Sequence, residues 1–172
     1  HIDINGANAI QKRAVSLYLE KPDETQIICA TTKMVNDINK RCVALNNSKP
    51  LKVFIEEANH YLDTEFKLHD KVMCCSNLYD HDLMNGSTGH ICQVYNVMKI
   101  LKNDDNDESL TSFGKILWDD GIEREISLDI INALRHAYAM TIHKSQGSQF
   151  KQVIIVLDKA PNIDRTMCYT AI

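Results

Sequence analysis

Tyr138-Ala139-Met140-Thr141-Ile142-His143-Lys144-Ser145-Gln146-Gly147-Ser148-Gln149-Phe150 carries the deciding pattern of this chain. It begins apolar, turns polar within a few residues, and sets His, Lys, Ser, Gln and Gly in a row. The apolar run Val153-Ile154-Ile155-Val156-Leu157 follows. An apolar run ending in such a turn predicts a buried strand that feeds a loop and a helix start. In an open α/β sheet, ligands gather outside the carboxyl ends of the strands. The rest of the chain is expected to hold this loop in place.

Chemically, Thr141, His143, Lys144 and Ser145 bring hydroxyls, an imidazole and an ammonium to one strand end. Backbone N–H groups at the following helix start would add to an anion site. Such a set suits phosphate oxygens of a nucleotide or of a nucleic-acid backbone. Gln146 and Gln149 contribute amides, and Gly147 permits close backbone approach. The plain alternative is a polar loop with a capping serine.

Upstream, residues 9–20 follow a helical period, with Ile10, Ala14, Leu17 and Tyr18 on one face and Asn8 as N-cap. Lys21-Pro22-Asp23 ends that helix. Residues 25–30 form a short apolar strand. Thr31 or Thr32 then caps a helix over 33–45, striped by Met34, Val35, Ile38, Cys42 and Leu45. Strand, threonine turn, helix is an α/β half-unit. A further strand is expected over 51–55, and 56–65 is acidic and ambiguous.

From Phe66 the pattern changes to short strands and tight turns: 71–76, 90–95 extending toward 101, 113–118 and 122–126. Asn85-Gly86 signals a type I′ turn, Gly89 a bulge or close approach, and Asp119-Asp120-Gly121 a hairpin turn. This texture predicts a small β-barrel or curled meander inserted into the α/β sheet. The acidic stretch 102–109 lacks the glycine and terminal glutamate of a calcium loop and reads as a solvated hairpin tip. Beyond the strand at 153–157, residues 158–161 make an exit turn and 164–172 begin a helix.

The chain has 172 residues and a formal net charge of −4, from 19 Lys and Arg against 23 Asp and Glu. That balance argues against a broad basic footprint on duplex DNA and leaves room for a narrow groove, so net charge alone decides little. No apolar run is long enough for a membrane span, and the first residues do not form a signal peptide. Without an initiating Met, the chain is expected to be part of something longer. The six cysteines (Cys29, Cys42, Cys74, Cys75, Cys92 and Cys168) show no zinc spacing and read as thiols of a reducing cytoplasm. No metal site is expected. His60, His90 and His136 lack a companion at ligand spacing. Tyr79 and Trp118 carry rings able to stack on bases, but turn packing is the expectation for Tyr79 and a core position for Trp118.

The stretch 138–150 resembles motif V of superfamily 1 DNA helicases, in particular the RecD-like, Dda and conjugative-relaxase group (superfamily 1B). Residues 66–73, continuing through Asn77-Leu78-Tyr79-Asp80 to Asn85-Gly86-Ser87-Thr88-Gly89, resemble the approach to the SH3-like insertion of those enzymes. Cys168-Tyr169-Thr170-Ala171-Ile172 resembles the opening of motif VI, and residues 25–39 resemble motif IV more weakly. The resemblance implies a second RecA-like domain, an α/β P-loop NTPase fold, in three parts: residues 1–83, an SH3-like β subdomain at 84–132, and residues 133–172.

By that resemblance, Thr141, His143 and Ser145 contact or orient single-strand phosphates, with Lys144, Tyr79 and Asn85 also on the DNA. Gly147 and Gln149 face the nucleotide, and Gln146 joins them while helping Lys144 link the two sites. The implied parent is an ATP-dependent 5′ to 3′ helicase of exodeoxyribonuclease V alpha type, acting in DNA repair and recombination. It would use ATP and Mg2+. Its partners would be single-stranded DNA, an N-terminal RecA-like motor domain, and other subunits of a helicase–nuclease complex. This chain departs from the pattern at Gln149, where the family carries Glu, and at His69, where it carries Gly. It also stops before the expected Thr-Arg of motif VI and has no phosphate-loop motif. Alone it is therefore expected to bind no cofactor and turn over no ATP. The rival readings are an ATPase-inactive module that binds single strands or proteins, and the motor part of a conjugative relaxase.

Overall fold

The computed structural model describes residues 6–56, 58–102 and 109–157. The readings at 158–161 and 164–172, at Cys168, and at most of 102–109 lie outside the described residues. The chain divides into two compact units. One combines the residues up to Leu45 with those from Tyr138 onward, and the other is Asn46–Ala137.

The first unit is an α/β half-unit completed by the C-terminal strands. Helix α1 (Ala7–Glu20) leads to strand β1 (Thr25–Cys29), then to helix α2 (Thr32–Leu45). β1 is buried along its whole length, as a strand covered on both faces must be. It pairs in parallel with β9 (Ala139–Thr141) on one side and β10 (Gln152–Val156) on the other. Ile27, Ile38, Met34, Tyr18 and Tyr138 share its main core.

Two details differ from expectation. The N-cap of α1 is Gly6 rather than Asn8, whose carboxamide oxygen accepts from Arg41 of α2. The buried stripe is Gln11, Ala14, Val15 and Tyr18, because Gln11 turns inward to bridge Asp37 and Arg41. The cap of α2 is Thr31, whose hydroxyl accepts the Met34 N–H.

The second unit is antiparallel. Strands β2 (Pro50–Ile55) and β3 (His60–Lys67) form a hairpin. Strands β4 (Lys71–Cys74), β5 (Thr88–Lys102), β6 (Ser109–Trp118), β7 (Glu123–Glu125) and β8 (Leu134–His136) form a sheet ordered β7-β6-β5-β4-β8. Among the described residues β7 and β8 do not pair, so the sheet stays open and the expected closed barrel is not formed. Its core is covered instead by a second layer: Leu51, Val53 and Phe66 of the hairpin and Ile130 and Ala133 of helix α3 (Leu128–Ala133) pack on Phe113, Ile116 and Trp118. That shared core joins the hairpin and the sheet in the compact unit Asn46–Ala137.

The Asp119-Asp120-Gly121 turn forms as expected, with the Gly121 N–H donating to the Trp118 carbonyl at 2.9 Å. Gly89 is a close approach: a Cβ there would lie 2.6 Å from the Leu117 carbonyl oxygen. The expected type I′ turn at Asn85-Gly86 is not made. Only Gly86 has positive φ, because its N–H and the Ser87 carbonyl are both taken by Cys74 of β4 at 2.8 Å.

The cysteines of the described residues are free thiols. Burial pushes the Cys29 and Cys42 thiols up to about 12, which leaves them protonated core side chains. Among the described residues no helix is long and apolar enough to cross a membrane, and no His, Cys, Asp and Glu cluster could hold a metal ion.

Candidate nucleic-acid and nucleotide loop

The candidate loop leaves the carboxyl end of β9, the same end of the parallel sheet at which β1 delivers Ala30, Thr31 and Thr32. Its base is fixed by buried side-chain amides. The Asn39 Nδ2 donates to the Ala139 carbonyl at 3.1 Å, and the Ala139 N–H donates back to Asn39 Oδ1 at 2.8 Å. One residue earlier, the Tyr138 carbonyl accepts from Gln26 Nε2 at 3.1 Å. Gln26 and Asn39 are buried, so these bonds are shielded from competing water.

From that base the chain makes a single helical turn, α4 (Ile142–Ser145). Thr141 is its N-cap and accepts the Lys144 N–H at 3.3 Å. Ile142 is buried against Ile28, with Phe150 and Val153 packed around the pair. Ser145 is buried as well, and its hydroxyl donates to the Ile142 carbonyl at 2.8 Å. The expected anion site at a helix start is thus modified. The helix is one turn long, and its capping hydroxyl already serves the backbone.

The outward face carries His143, Lys144, Gln146 and Gln149, all exposed. No acidic residue occurs between Thr141 and Lys151. Lys151 itself pairs with Glu24 at 3.8 Å. Gly147 has φ +84°, and a Cβ there would meet open space. Its glycine therefore answers to backbone conformation at the turn, not to crowding at the position. The loop thus sorts the expected residues: Thr141 and Ser145 hold it together, while His143, Lys144, Gln146 and Gln149 present its chemistry.

An exposed basic pair with two amides can bind phosphate oxygens and the polar edges of a nucleoside. It offers no carboxylate, so this donor set does not fit a magnesium ion. Tyr79 and Asn85 belong to the other unit, on the loop between β4 and β5, and are both exposed.

Sequence reading missed three residues. Asn39 and Gln26 fix the loop's base. In the second unit, the wholly buried Asp70 accepts the Lys67 N–H at 2.7 Å, the Asn46 amide at 2.6 Å and the His136 ring Nε2 at 3.1 Å. His136 also lies against Phe66, with ring centroids 4.8 Å apart. The one available signal was position: Asp70 directly follows His69, a residue other than glycine that takes φ +70°.

Comparison with known proteins adds sequence and fold relatives. Residues 136–172 match the family model of the UvrD-like helicase C-terminal domain. An uncharacterized protein of Methanocaldococcus jannaschii is 54% identical over 41 residues, 23% of this chain and 4% of that protein. Among solved structures, the Pif1 helicase of Candida albicans aligns over 94% of this chain and 45% of its own, with TM-score 0.54 and 19% identity. Bacteroides Pif1 bound to single-stranded DNA aligns over 98% and 45%, with TM-score 0.50 and 20% identity. Bacteroides Pif1 in complex with ADP-AlF3 and single-stranded DNA aligns over 87% and 38%, also with TM-score 0.50 and 20% identity. The chain spans less than half the length of each of these structures. It therefore shares the fold of part of the Pif1 helicases, and its candidate loop lies within the segment that matches the UvrD-like helicase C-terminal domain.

Proposed function

We propose that this chain is the C-terminal motor portion of an ATP-dependent superfamily 1 DNA helicase, and that the loop 141–149 meets single-stranded DNA and nucleotide. The observation that carries this reading is the loop itself. An exposed His143–Lys144 pair and two exposed amides sit at the carboxyl end of a parallel strand inside the segment that matches a helicase family.

In this reading His143 and Lys144 contact phosphates of the strand, and Thr141 and Ser145 orient them from within the loop. Gln146, Gly147 and Gln149 face the nucleotide, whose polar edges their amide and backbone groups can hydrogen-bond. ATP and Mg2+ belong to the whole enzyme, with the metal held by residues outside this donor set. Phosphate contacts of this kind carry no sequence information, which suits a motor stepping along any strand. Membership of the RecD-like group and 5′ to 3′ polarity rest on the resemblance alone.

The test is binding of labelled oligothymidylate to the chain, followed by fluorescence anisotropy over a salt series. Lys144→Ala is expected to weaken binding and reduce the log–log salt slope by about 0.7, the share of one phosphate contact on a single strand. A chain that binds no strand, or a slope indifferent to Lys144, would overturn the reading.

A further inference from the structure

The loop between β4 and β5 holds an aromatic ring in solvent on a rigid mount. Tyr79 is 71% exposed, and Met84 of the same loop is 54% exposed. The mount is tied at three levels. At its base, the Cys74 N–H and carbonyl bond Ser87 and Gly86 at 2.8 Å. Midway, Leu78 and Leu83 exchange backbone hydrogen bonds at 2.8 and 3.1 Å, and Leu83 is sunk into the unit's core at 1% exposure. At the top, Asn77 uses both ends of its amide. Its Nδ2 donates to the Tyr79 hydroxyl at 3.3 Å, and its Oδ1 accepts the Asn85 N–H at 2.8 Å. From β7, Arg124 also reaches the Asp82 carbonyl at 3.4 Å.

A loop so fully tied has no need of an exposed aromatic for its own stability. Rigidity here lowers the entropy cost of using the ring on a ligand. Residues 75–87 contain no Lys or Arg, while Asp80 and Asp82 are exposed. That charge disfavours phosphate contact and leaves the uncharged face of a ring as the fitting ligand. We propose that Tyr79 is a stacking platform for an unpaired nucleobase, and that Asn77 is its positioning residue. This rests on the reading of the chain as a single-strand-binding helicase portion and adds to it a contact of different chemistry. The loop 141–149 holds the charged backbone, and Tyr79 takes a base. Stacking on an aromatic is sequence-tolerant because every base has a π-face, so it also suits a motor.

The two contacts separate experimentally. Labelled oligothymidylate and an abasic strand of equal length carry the same phosphates, but only the first carries bases. In the 172-residue chain, Tyr79→Ala is expected to bind oligothymidylate about tenfold more weakly, with an unchanged salt slope. On the abasic strand Tyr79→Ala should match the unaltered chain. Tyr79→Phe keeps the ring and should retain most of the affinity, and Asn77→Ala should fall between the two. Equal weakening on both strands, or no weakening on either, overturns the platform while leaving the reading of the 141–149 loop standing. A chain that binds neither strand overturns both.

Discussion

The two compact units pin their key segments with different chemistry. In the parallel unit the pins are neutral: Gln26 and Asn39 lay carboxamides against the backbone of Tyr138 and Ala139. In the antiparallel unit the pin is a carboxylate, Asp70, which draws in the Lys67 backbone, Asn46 and His136. A carboxamide offers one donor face and one acceptor face, so it can complete both backbone groups of a single strand residue. A carboxylate offers only acceptors but several of them, so it can gather donors from separate parts of the chain. The amide fixes one residue in register, whereas the carboxylate collects three segments at one point.

This contrast can be broken experimentally, because Trp118 is the only tryptophan and lies buried in the antiparallel unit. Its fluorescence reports that unit, while the long helices α1 and α2 dominate the far-ultraviolet signal of the other. Asp70→Ala should have the largest effect, a loss of about 3–5 kcal/mol, because it strands buried donors around an empty site. Denaturant unfolding should show the Trp118 transition moving to lower concentration. An unmoved Trp118 transition would mean that the carboxylate is not a pin.

Asn39→Ala comes next, at about 2–4 kcal/mol, because it leaves both the N–H and the carbonyl of Ala139 without that partner. Here the helical signal should shift while Trp118 fluorescence does not, and a shared shift would show the units unfolding as one. His69→Gly is the smallest and of opposite sign, a gain of about 0.5 kcal/mol at most. Relief of a left-handed backbone is offset by the greater freedom of glycine in the unfolded chain. A loss of stability in the Trp118 transition would show that the His69 side chain contributes more than its backbone costs.

The parallel unit was largely legible in the sequence because its signals are local. Ile27, Ile28 and Cys29 form an apolar run with a threonine cap just beyond, and Met34, Ile38 and Cys42 keep helical period. The antiparallel unit was legible only in outline. Strand β3 is largely polar and half of its residues are exposed, and β6 starts in the polar Ser109. The Asn85-Gly86 signal was overruled by Cys74, a partner across the loop that no local rule includes. The candidate loop was found from its residue types, but its internal division was not. Nothing in the order Thr-Ile-His-Lys-Ser tells that the hydroxyls turn inward. The pins were hidden for a related reason: Asn39 meets Ala139 across 100 positions, and whether an amide is buried depends on that distant partner.

Asp70 has one more consequence. It holds Asn46, the first residue of the antiparallel unit, and His136, the last but one, on the two oxygens of one carboxylate. The stretch between them therefore begins and ends at a single fastening, as a cassette does. Length and sequence can change within the cassette, in the β5–β6 ribbon for example, without moving the ends that join it to the rest of the chain. What must be kept is the fastening: an acid at residue 70 and donors at its two doorposts.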